Sequence, residues 1–247
     1  MNKSYHKNSS DILTRMRIIY GILQEVKNIV YKFVTKFSPT SNKVSYDISY
    51  VCQFAKPEHA ELSLKKELDP LNDPHWAETG ASSPKRYAEW AFTMCGMAST
   101  AMALSHFEDK NIKPALLAED ALLHGVYTES KKELSAMKYR EFAKWIKKYN
   151  VHADIYTKLS MKGIYYALSK GRLVIISVNP NIRGYTTAPI HQKGGHLVLV
   201  TGYDLNNKTI SINNPSGFVS NNTQINHKLS EKEFLSYYAG RGIVIRK

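Results

Sequence analysis

Two residues of this sequence stand out as candidates for covalent chemistry, a cysteine and a histidine far apart in the chain. Cys95 opens the run Cys-Gly-Met-Ala-Ser-Thr-Ala-Met-Ala-Leu, whose small and helix-forming residues predict a buried helix beginning at about Cys95. A thiol there faces the positive end of the helix dipole and unpaired backbone N–H groups, which favour the reactive thiolate. A lone cysteine in an apolar helix is more often structural, so other residues must support a catalytic role.

The histidine stands at the start of a predicted strand. His196 follows Gly194-Gly195 and precedes the apolar run Leu-Val-Leu-Val, which predicts a strand over 196–201. A turn at 204–208 leads to a partner strand at 209–213, which is followed by Asn214. An antiparallel hairpin brings His196 level with Asn214. Cys95, His196 and Asn214 could therefore act as nucleophile, general base and orienting group.

Helices must position the cysteine, and a sheet must position the histidine and the asparagine. The first two thirds of the chain are mostly helical in pattern, including a predicted helix over 133–149. An alternating segment at 44–50 predicts an early strand that runs on to Gln53, and the β-branched run at 173–178 predicts a buried one. Helices first and an antiparallel sheet second indicate an α+β fold.

The N-terminal segment, residues 1–43, is interpreted as an amphipathic helix and linker that precede a domain at 44–247. We expect residues 1–10 to lack regular structure and the helix to be capped by Ser10 or Asp11. This helix could pack on the domain or on a second copy of itself. Because Lys and Arg outnumber the acidic residues, it could instead contact a membrane surface through residues 11–36. Its apolar residues recur at three- and four-residue steps: Ile12, Met16, Ile19, Leu23, Val26, Val30 and Phe33.

Composition narrows the class of protein. The chain has 247 residues and a net charge of +13, yet its basic residues form no nucleic-acid-binding motif, so we expect no nucleic-acid partner. Two cysteines are too few for a disulfide framework, and the histidines show no metal-ligand spacing, so we expect neither metal nor cofactor. No stretch reaches the roughly 18 apolar residues of a membrane span, and no standard signal peptide is visible, which favours the cytoplasm.

Five stretches together resemble the C39-like group of papain-like cysteine peptidases, relatives of the bacterial peptidase domains on bacteriocin exporters. They cover residues 90–104 with the Cys-Gly-Met-Ala core, 159–178, 194–204 (GGHLVLVTGYD), 210–217 (ISINNPSG) and 234–245. The resemblance extends over about residues 45–247. It implies a papain-like fold, a peptide or protein substrate and hydrolysis of a peptide or isopeptide bond.

The resemblance also implies roles for single residues. Cys95 would be the nucleophile and His196 the general base and acid. The third place in this group is often an aspartate before proline, and here it holds Asn214, which papain-type enzymes also use. An upstream glutamine would donate to the oxyanion. Gln53 fits that role if residues 54–88 are an insertion, whereas Glu89, six residues before Cys95, cannot donate when ionised.

Other assignments remain open at this point. His191 is the alternative base, and Cys52 is expected to be a core thiol. The same three site residues would serve an acyltransferase or a deamidase equally well. A non-catalytic binding protein of the same fold, or a basic membrane-surface module, is the remaining alternative.

Overall fold

The structure, a computed structural model, describes residues 3–34, 39–108, 110–130, 133–186, 188–189 and 191–247, with the side chains of the first helix described over 12–32. Its helices are α1 Lys3–Val34, α2 Pro57–Leu64, α3 Pro84–Trp90, α4 Cys95–Glu108, α5 Pro114–Leu123, α6 Tyr139–Trp145, α7 Met161–Ser169 and α8 Glu231–Tyr237. Its strands are β1 Lys43–Ser45, β2 Glu129–Ser130, β3 Glu133–Leu134, β4 His152–Tyr156, β5 Leu173–Val178, β6 His196–Asp204, β7 Thr209–Asn213, β8 His227–Ser230 and β9 Tyr238–Arg246.

An antiparallel sheet forms the centre of the molecule. Its strand order is β4-β9-β5-β6-β7-β8, and β1 adds to the far end of β6. A separate small hairpin pairs β2 with β3. The expected α+β architecture, with a helical first half and an antiparallel sheet in the second half, is confirmed.

Both faces of the sheet are covered, which explains why its central strands are continuously apolar. In β5, Leu173 and Ile175 join the core beneath α3–α6, whereas Val174, Ile176 and Val178 join the core shared with α7 and α8. This alternation follows from the two-residue period of a strand. The rigid centre carries β6 and therefore His196.

The predicted strand over 44–50 is wrong beyond Ser45. β1 pairs with Gly202–Asp204 of β6, whereas β5 already pairs with His196–Val200. Since β7 occupies the other side of β6, β1 and β5 share one edge, and β5 leaves β1 no further partner. The segment that leads to Gln53 is consequently irregular.

The predicted helix over 133–149 is also wrong in its first third. Residues 133–134 form β3, and the backbone N–H of Ser135 donates to the carbonyl of Thr128 at 2.8 Å. The Ser135 hydroxyl also accepts from the Thr128 N–H at 2.9 Å. These bonds close the small hairpin, so the helix begins only at Tyr139.

Helix α1 begins at Lys3, so the expectation that residues 1–10 lack structure is wrong for 3–10, and neither Ser10 nor Asp11 is a cap. Extending an existing helix costs far less than starting one, which favours this longer form. Its C-terminal part packs on the domain. Lys27 pairs with Asp154 at 3.0 Å, and the Tyr31 hydroxyl donates to the carbonyl of Gly163 at 2.7 Å.

Within the described residues, no helix is long and apolar enough to cross a membrane. α1 is long enough in residues, but it carries too many polar and charged side chains.

Candidate active site

Cys95 is the first residue of α4, as its sequence predicts. The next nine residues, 96–104, are buried, so the helix start is held inside the domain. The Ser99 hydroxyl donates to the carbonyl of Leu197 at 3.3 Å and thereby joins the first turn of α4 to β6. The cysteine and the residue after His196 are thus anchored to each other.

Gly96 allows this close approach between helix and strand. A Cβ at this position would lie 2.8 Å from Sδ of Met137 and 3.0 Å from Cδ1 of Leu197. Both distances are shorter than ordinary van der Waals contact. The Cys-Gly pair therefore places the thiol directly beside β6.

His196 begins β6 opposite Val178 of β5 and is almost fully buried. The two glycines before it have φ angles of +89° at Gly194 and +107° at Gly195, a region that side chains other than glycine rarely adopt. A Cβ on Gly194 would also lie 2.7 Å from the Ser177 hydroxyl. The glycine pair bends the chain into the strand so that the imidazole enters the interior.

Asn214 meets His196 through its side chain. Asn214 Oδ1 lies 2.7 Å from Nε2 of His196, and the asparagine is fully buried. The amide oxygen is an acceptor, so Nε2 carries the proton and Nδ1 is left as the basic nitrogen. The expectation that the hairpin brings Asn214 level with His196 is wrong by two residues, because Asn213 pairs with Leu199 and the same register places Asn214 level with Val198.

Further hydrogen bonds fix the asparagine. The backbone N–H of Ser216 donates to Asn214 Oδ1 at 3.2 Å, and the Tyr50 hydroxyl donates to the Asn214 carbonyl at 2.9 Å. The backbone N–H of Asn214 donates to the carbonyl of Gln224 at 2.7 Å. An orienting group must itself be oriented, and these contacts provide that support.

A buried arginine lies behind the imidazole. Nε of Arg183 donates to the Ser216 hydroxyl at 2.8 Å, and this hydroxyl lies 3.3 Å from Nε2 of His196. Burial lowers the pKa of Arg183 to about 10, which still leaves it charged at neutral pH. A positive charge therefore stands close to both the histidine and the cysteine.

The electrostatics differ from the thiolate expected at a helix start. Burial raises the pKa of Cys95, although the backbone of Leu197 and the charge of Arg183 act in the opposite direction. Burial, followed by the charge of Arg183, holds the pKa of His196 well below its ordinary 6.5, while the hydrogen bond to Asn214 partly offsets this. Desolvation therefore opposes the charged forms of both side chains, against the effect of the helix dipole on the thiol.

Cys95 and His196 line one cavity of about 560 Å³. Its wall is mainly apolar, and its polar groups include Arg241 and the hydroxyls of Tyr127 and Ser177. A volume of this size accommodates a peptide segment of a few side chains. The geometry supports nucleophilic attack on a substrate bound in this cavity.

The two candidates for the oxyanion donor are both engaged elsewhere. Nε2 of the buried Gln53 donates to the carbonyl of Ala91 at 2.8 Å, which uses one of its two N–H groups. Glu89 pairs with Arg86 at 2.8 Å. Neither residue lines the cavity, so the structure leaves the assignment of the oxyanion donor as a prediction.

Cys52 and His191 are not part of this cluster. The thiol of Cys52 donates to the carbonyl of Pro215 at 3.2 Å, and burial raises its pKa to about 12. His191 is exposed and does not line the cavity. Both observations agree with the expected lesser roles of these residues.

Sequence reasoning missed four residues of the site: Arg183, Ser216, Tyr127 and Arg241. Ser216 was detectable in principle, because Asn-Pro-Ser-Gly is a turn that folds back on its own asparagine. The other three come from distant segments, and their spacing in the chain carries no signal. No group of three or more possible metal ligands occurs among the residues that the structure describes.

Helix α4, which starts at Cys95, packs against an antiparallel sheet whose strand β6 starts at His196, and this arrangement is a papain-like α+β fold. The chain belongs to the Peptidase_C39 like family, whose model matches residues 76–244. Membership in the family suggested by the sequence is thereby confirmed. Gln53 lies outside the matched range.

Solved structures give a more distant comparison. A protein from Bacillus anthracis described as a C39-like peptidase is 18% identical, with a TM-score of 0.45, over 62% of this chain and 88% of that one. The peptidase domain of Streptococcus ComA, a bifunctional ABC transporter, is 18% identical, with a TM-score of 0.39, over 62% and 90%. A double glycine motif protease from an AMS/PCAT transporter, solved with its leader peptide, is 17% identical, with a TM-score of 0.38, over 62% and 84%. Among curated proteins, no relative matches the chain.

Proposed function

We propose that this protein is a cysteine peptidase that hydrolyses a peptide or isopeptide bond of a peptide or protein substrate. Cys95 is the nucleophile, His196 the general base and acid, and Asn214 the residue that orients the imidazole. The observation that carries the proposal is the 2.7 Å contact between His196 and Asn214 at a cavity that also contains Cys95. Family membership supports the same chemistry.

The reaction begins from a neutral thiol and a neutral imidazole. Nδ1 of His196 takes the thiol proton as Cys95 Sγ bonds to the carbonyl carbon, and a tetrahedral oxyanion forms. The carbon–nitrogen bond then breaks while the imidazolium returns its proton to the leaving nitrogen. Water, deprotonated by the same imidazole, attacks the thioester, and the thiol is re-formed as the carboxylic acid product leaves.

The oxyanion needs donors that are in place before the reaction. We propose the backbone N–H of Cys95 and the second N–H of the Gln53 amide, since the first is used on Ala91. Such donors each lower the barrier by about 3 kcal/mol. Gln53 is fixed by its own backbone N–H, which donates to the carbonyl of Pro215 next to Asn214 at 2.8 Å.

The test of the proposal is digestion of a defined peptide mixture by the full chain, with new termini identified by mass spectrometry. When the digestion is carried out in water labelled with the heavy isotope of oxygen, hydrolysis places one labelled oxygen atom in each new carboxyl group. An acyltransferase joins the acyl group to an amine and places none, and a deamidase changes side chains without new termini. A protein that produces no modified peptide in any mixture would be a binding protein of the same fold.

A second proposal concerns partners: we propose that α1, within residues 11–36, contacts an anionic membrane surface. Ten large apolar side chains between 12 and 30 are half or more exposed. At about 100° per residue they span an arc of roughly 200°, wider than the single seam that a two-stranded coiled coil covers. Arg17 lies beside this arc and Arg15 lies within it, and both basic side chains favour anionic lipid.

Sedimentation with lipid vesicles checks this second proposal. We expect binding to phosphatidylcholine vesicles that contain phosphatidylglycerol and little binding to phosphatidylcholine alone. Replacing Ile19 and Leu23 by serine should reduce binding about tenfold or more, because two buried aliphatic side chains are lost. The matched control replaces the exposed Leu116 and Leu123 of α5 by serine. Equal binding by both double variants would refute a role for α1.

A further inference from the structure

The cavity beside Cys95 is lined by an arginine side chain, Arg241, whose described hydrogen-bond partners are neutral groups. Arg241 lines the cavity, and its Nη2 donates to the carbonyl of Lys193 at 3.4 Å. The guanidinium packs on Gly194 and shares a hydrogen bond with the hydroxyl of Tyr139. Among the described residues, no carboxylate lies within ion-pair distance of Arg241, and none lines the cavity.

A second polar group in the same cavity lacks a partner. The hydroxyl of Tyr127 is buried, and it has no hydrogen-bond partner among the described residues. It lies close to Gly96, since a Cβ on that glycine would be 3.3 Å away. A buried hydroxyl without a partner costs free energy, which a ligand oxygen in the cavity would recover.

We propose that this cavity is a subsite for a carboxylate of the substrate, which Arg241 binds. The ligand class is a peptide that carries an acidic side chain, or its own terminal carboxylate, within a few residues of the bond that Cys95 attacks. The apolar side chains of Phe92, Leu134 and Met137 would contact the aliphatic part of that residue. This inference rests on the proposed function, because it takes Cys95 as the attacking group.

The charge balance of the cavity favours an anion over a neutral ligand. The carbonyl and hydroxyl groups bonded to Arg241 carry no negative charge, and a carboxylate can form a charge-assisted, bidentate pair with a guanidinium. Lysine lacks that planar geometry. Gly194 leaves room for this arginine, because the guanidinium of Arg241 occupies the space that a side chain at position 194 would fill.

A matched pair of electrophiles tests the subsite. N-chloroacetyl-glutamate α-amide and N-chloroacetyl-glutamine α-amide have nearly the same shape, but the first carries a carboxylate where the second carries a neutral amide. Sulfur displaces chloride from each to form a thioether. Labelling of Cys95 is followed by peptide mass spectrometry, which separates it from Cys52, and a small neutral thiol gives the intrinsic rate ratio. We expect the ratio of the acidic-probe rate to the neutral-probe rate to be about tenfold higher for Cys95 than for the small thiol. A factor of this size is the order of one charge-assisted hydrogen bond.

Variants assign the effect to one residue. Arg241→Gln should bring the ratio to within about twofold of the small thiol, and Arg241→Lys should keep part of it. Lys193→Gln, which removes a neighbouring charge that does not line the cavity, should leave the ratio unchanged. N-chloroacetyl-glutamine with a free α-carboxylate distinguishes a terminal carboxylate from a side-chain one.

The outcomes separate this inference from the proposed function. A wild-type ratio equal to that of the small thiol would overturn the subsite, even if Cys95 reacts rapidly with the neutral probe. A ratio that falls with Lys193→Gln but persists in Arg241→Gln would show diffuse attraction and also overturn it. Slow reaction with the neutral probe, together with a ratio that depends on Arg241, would contradict the activated thiol and leave the subsite standing.

Discussion

Replacing Cys95 by alanine is expected to reduce peptide hydrolysis at least about a thousandfold, because no acyl-enzyme can form without the nucleophile. The cavity and β6 keep their other contacts, so peptide binding should persist. The measurement is the rate of appearance of new termini in the peptide mixture described above, together with thermal unfolding to show that the variant is folded.

Cys52→Ala is the matched control, since it removes the other thiol. Burial keeps Cys52 protonated, and its sulfur bonds to the backbone of Lys56, Pro215 and Phe54 and to the hydroxyl of Tyr50. Its loss should change the rate by no more than about twofold if the fold is retained. Full hydrolysis by Cys95→Ala, or its loss only in Cys52→Ala, would contradict the assignment of the nucleophile.

Replacing Asn214 by alanine is expected to lower kcat/KM about a hundredfold, within the range of general acid–base effects. Without Oδ1, the imidazole loses the acceptor that fixes both its orientation and its tautomer. Asn213→Ala is the matched control. Asn213 is equally buried and bonds to the backbone of Ile48 and Asn226, but it has no contact with His196. A similar loss of activity in both variants would indicate a purely structural role.

Replacing Asn214 by aspartate is expected to shift the pH dependence of peptide hydrolysis. Asn214→Asp places a carboxylate beside Nε2, which stabilises imidazolium and raises the pKa of His196 from its depressed value. The acidic limb of the profile should therefore move to higher pH than in the wild type. An unchanged limb would mean that His196 is not the titrating base.

The sequence alone was sufficient for the elements that carry local signals. Cys95 could be placed at a helix start because small residues follow it, and His196 at a strand start because glycines precede it. The apolar run at 173–178 indicated a strand buried on both faces. In these cases the chemistry of neighbouring residues determines the local structure.

The parts that failed depend on competition between distant segments. The strand from Val44 ended early because β5 occupies the edge of β6, which no local pattern reveals. The helix-dipole argument for a thiolate also omitted desolvation, which raises the pKa of Cys95 and depends on everything packed around it. Arg183 and Arg241 reach the site from separate loops and strands, and a single sequence carries no signal for that convergence.

The most direct test of the central claim, that His196 activates Cys95, is the rate of Cys95 alkylation by iodoacetamide as a function of pH. The wild-type thiol should react faster at neutral pH than a small free thiol, and at least about tenfold faster than in His196→Ala, because the neutral imidazole accepts the thiol proton. Since burial holds the pKa of His196 well below 6.5, the imidazole is still neutral at pH 6.5, and this advantage should persist there. Equal labelling rates in wild type and His196→Ala at every pH would contradict the account.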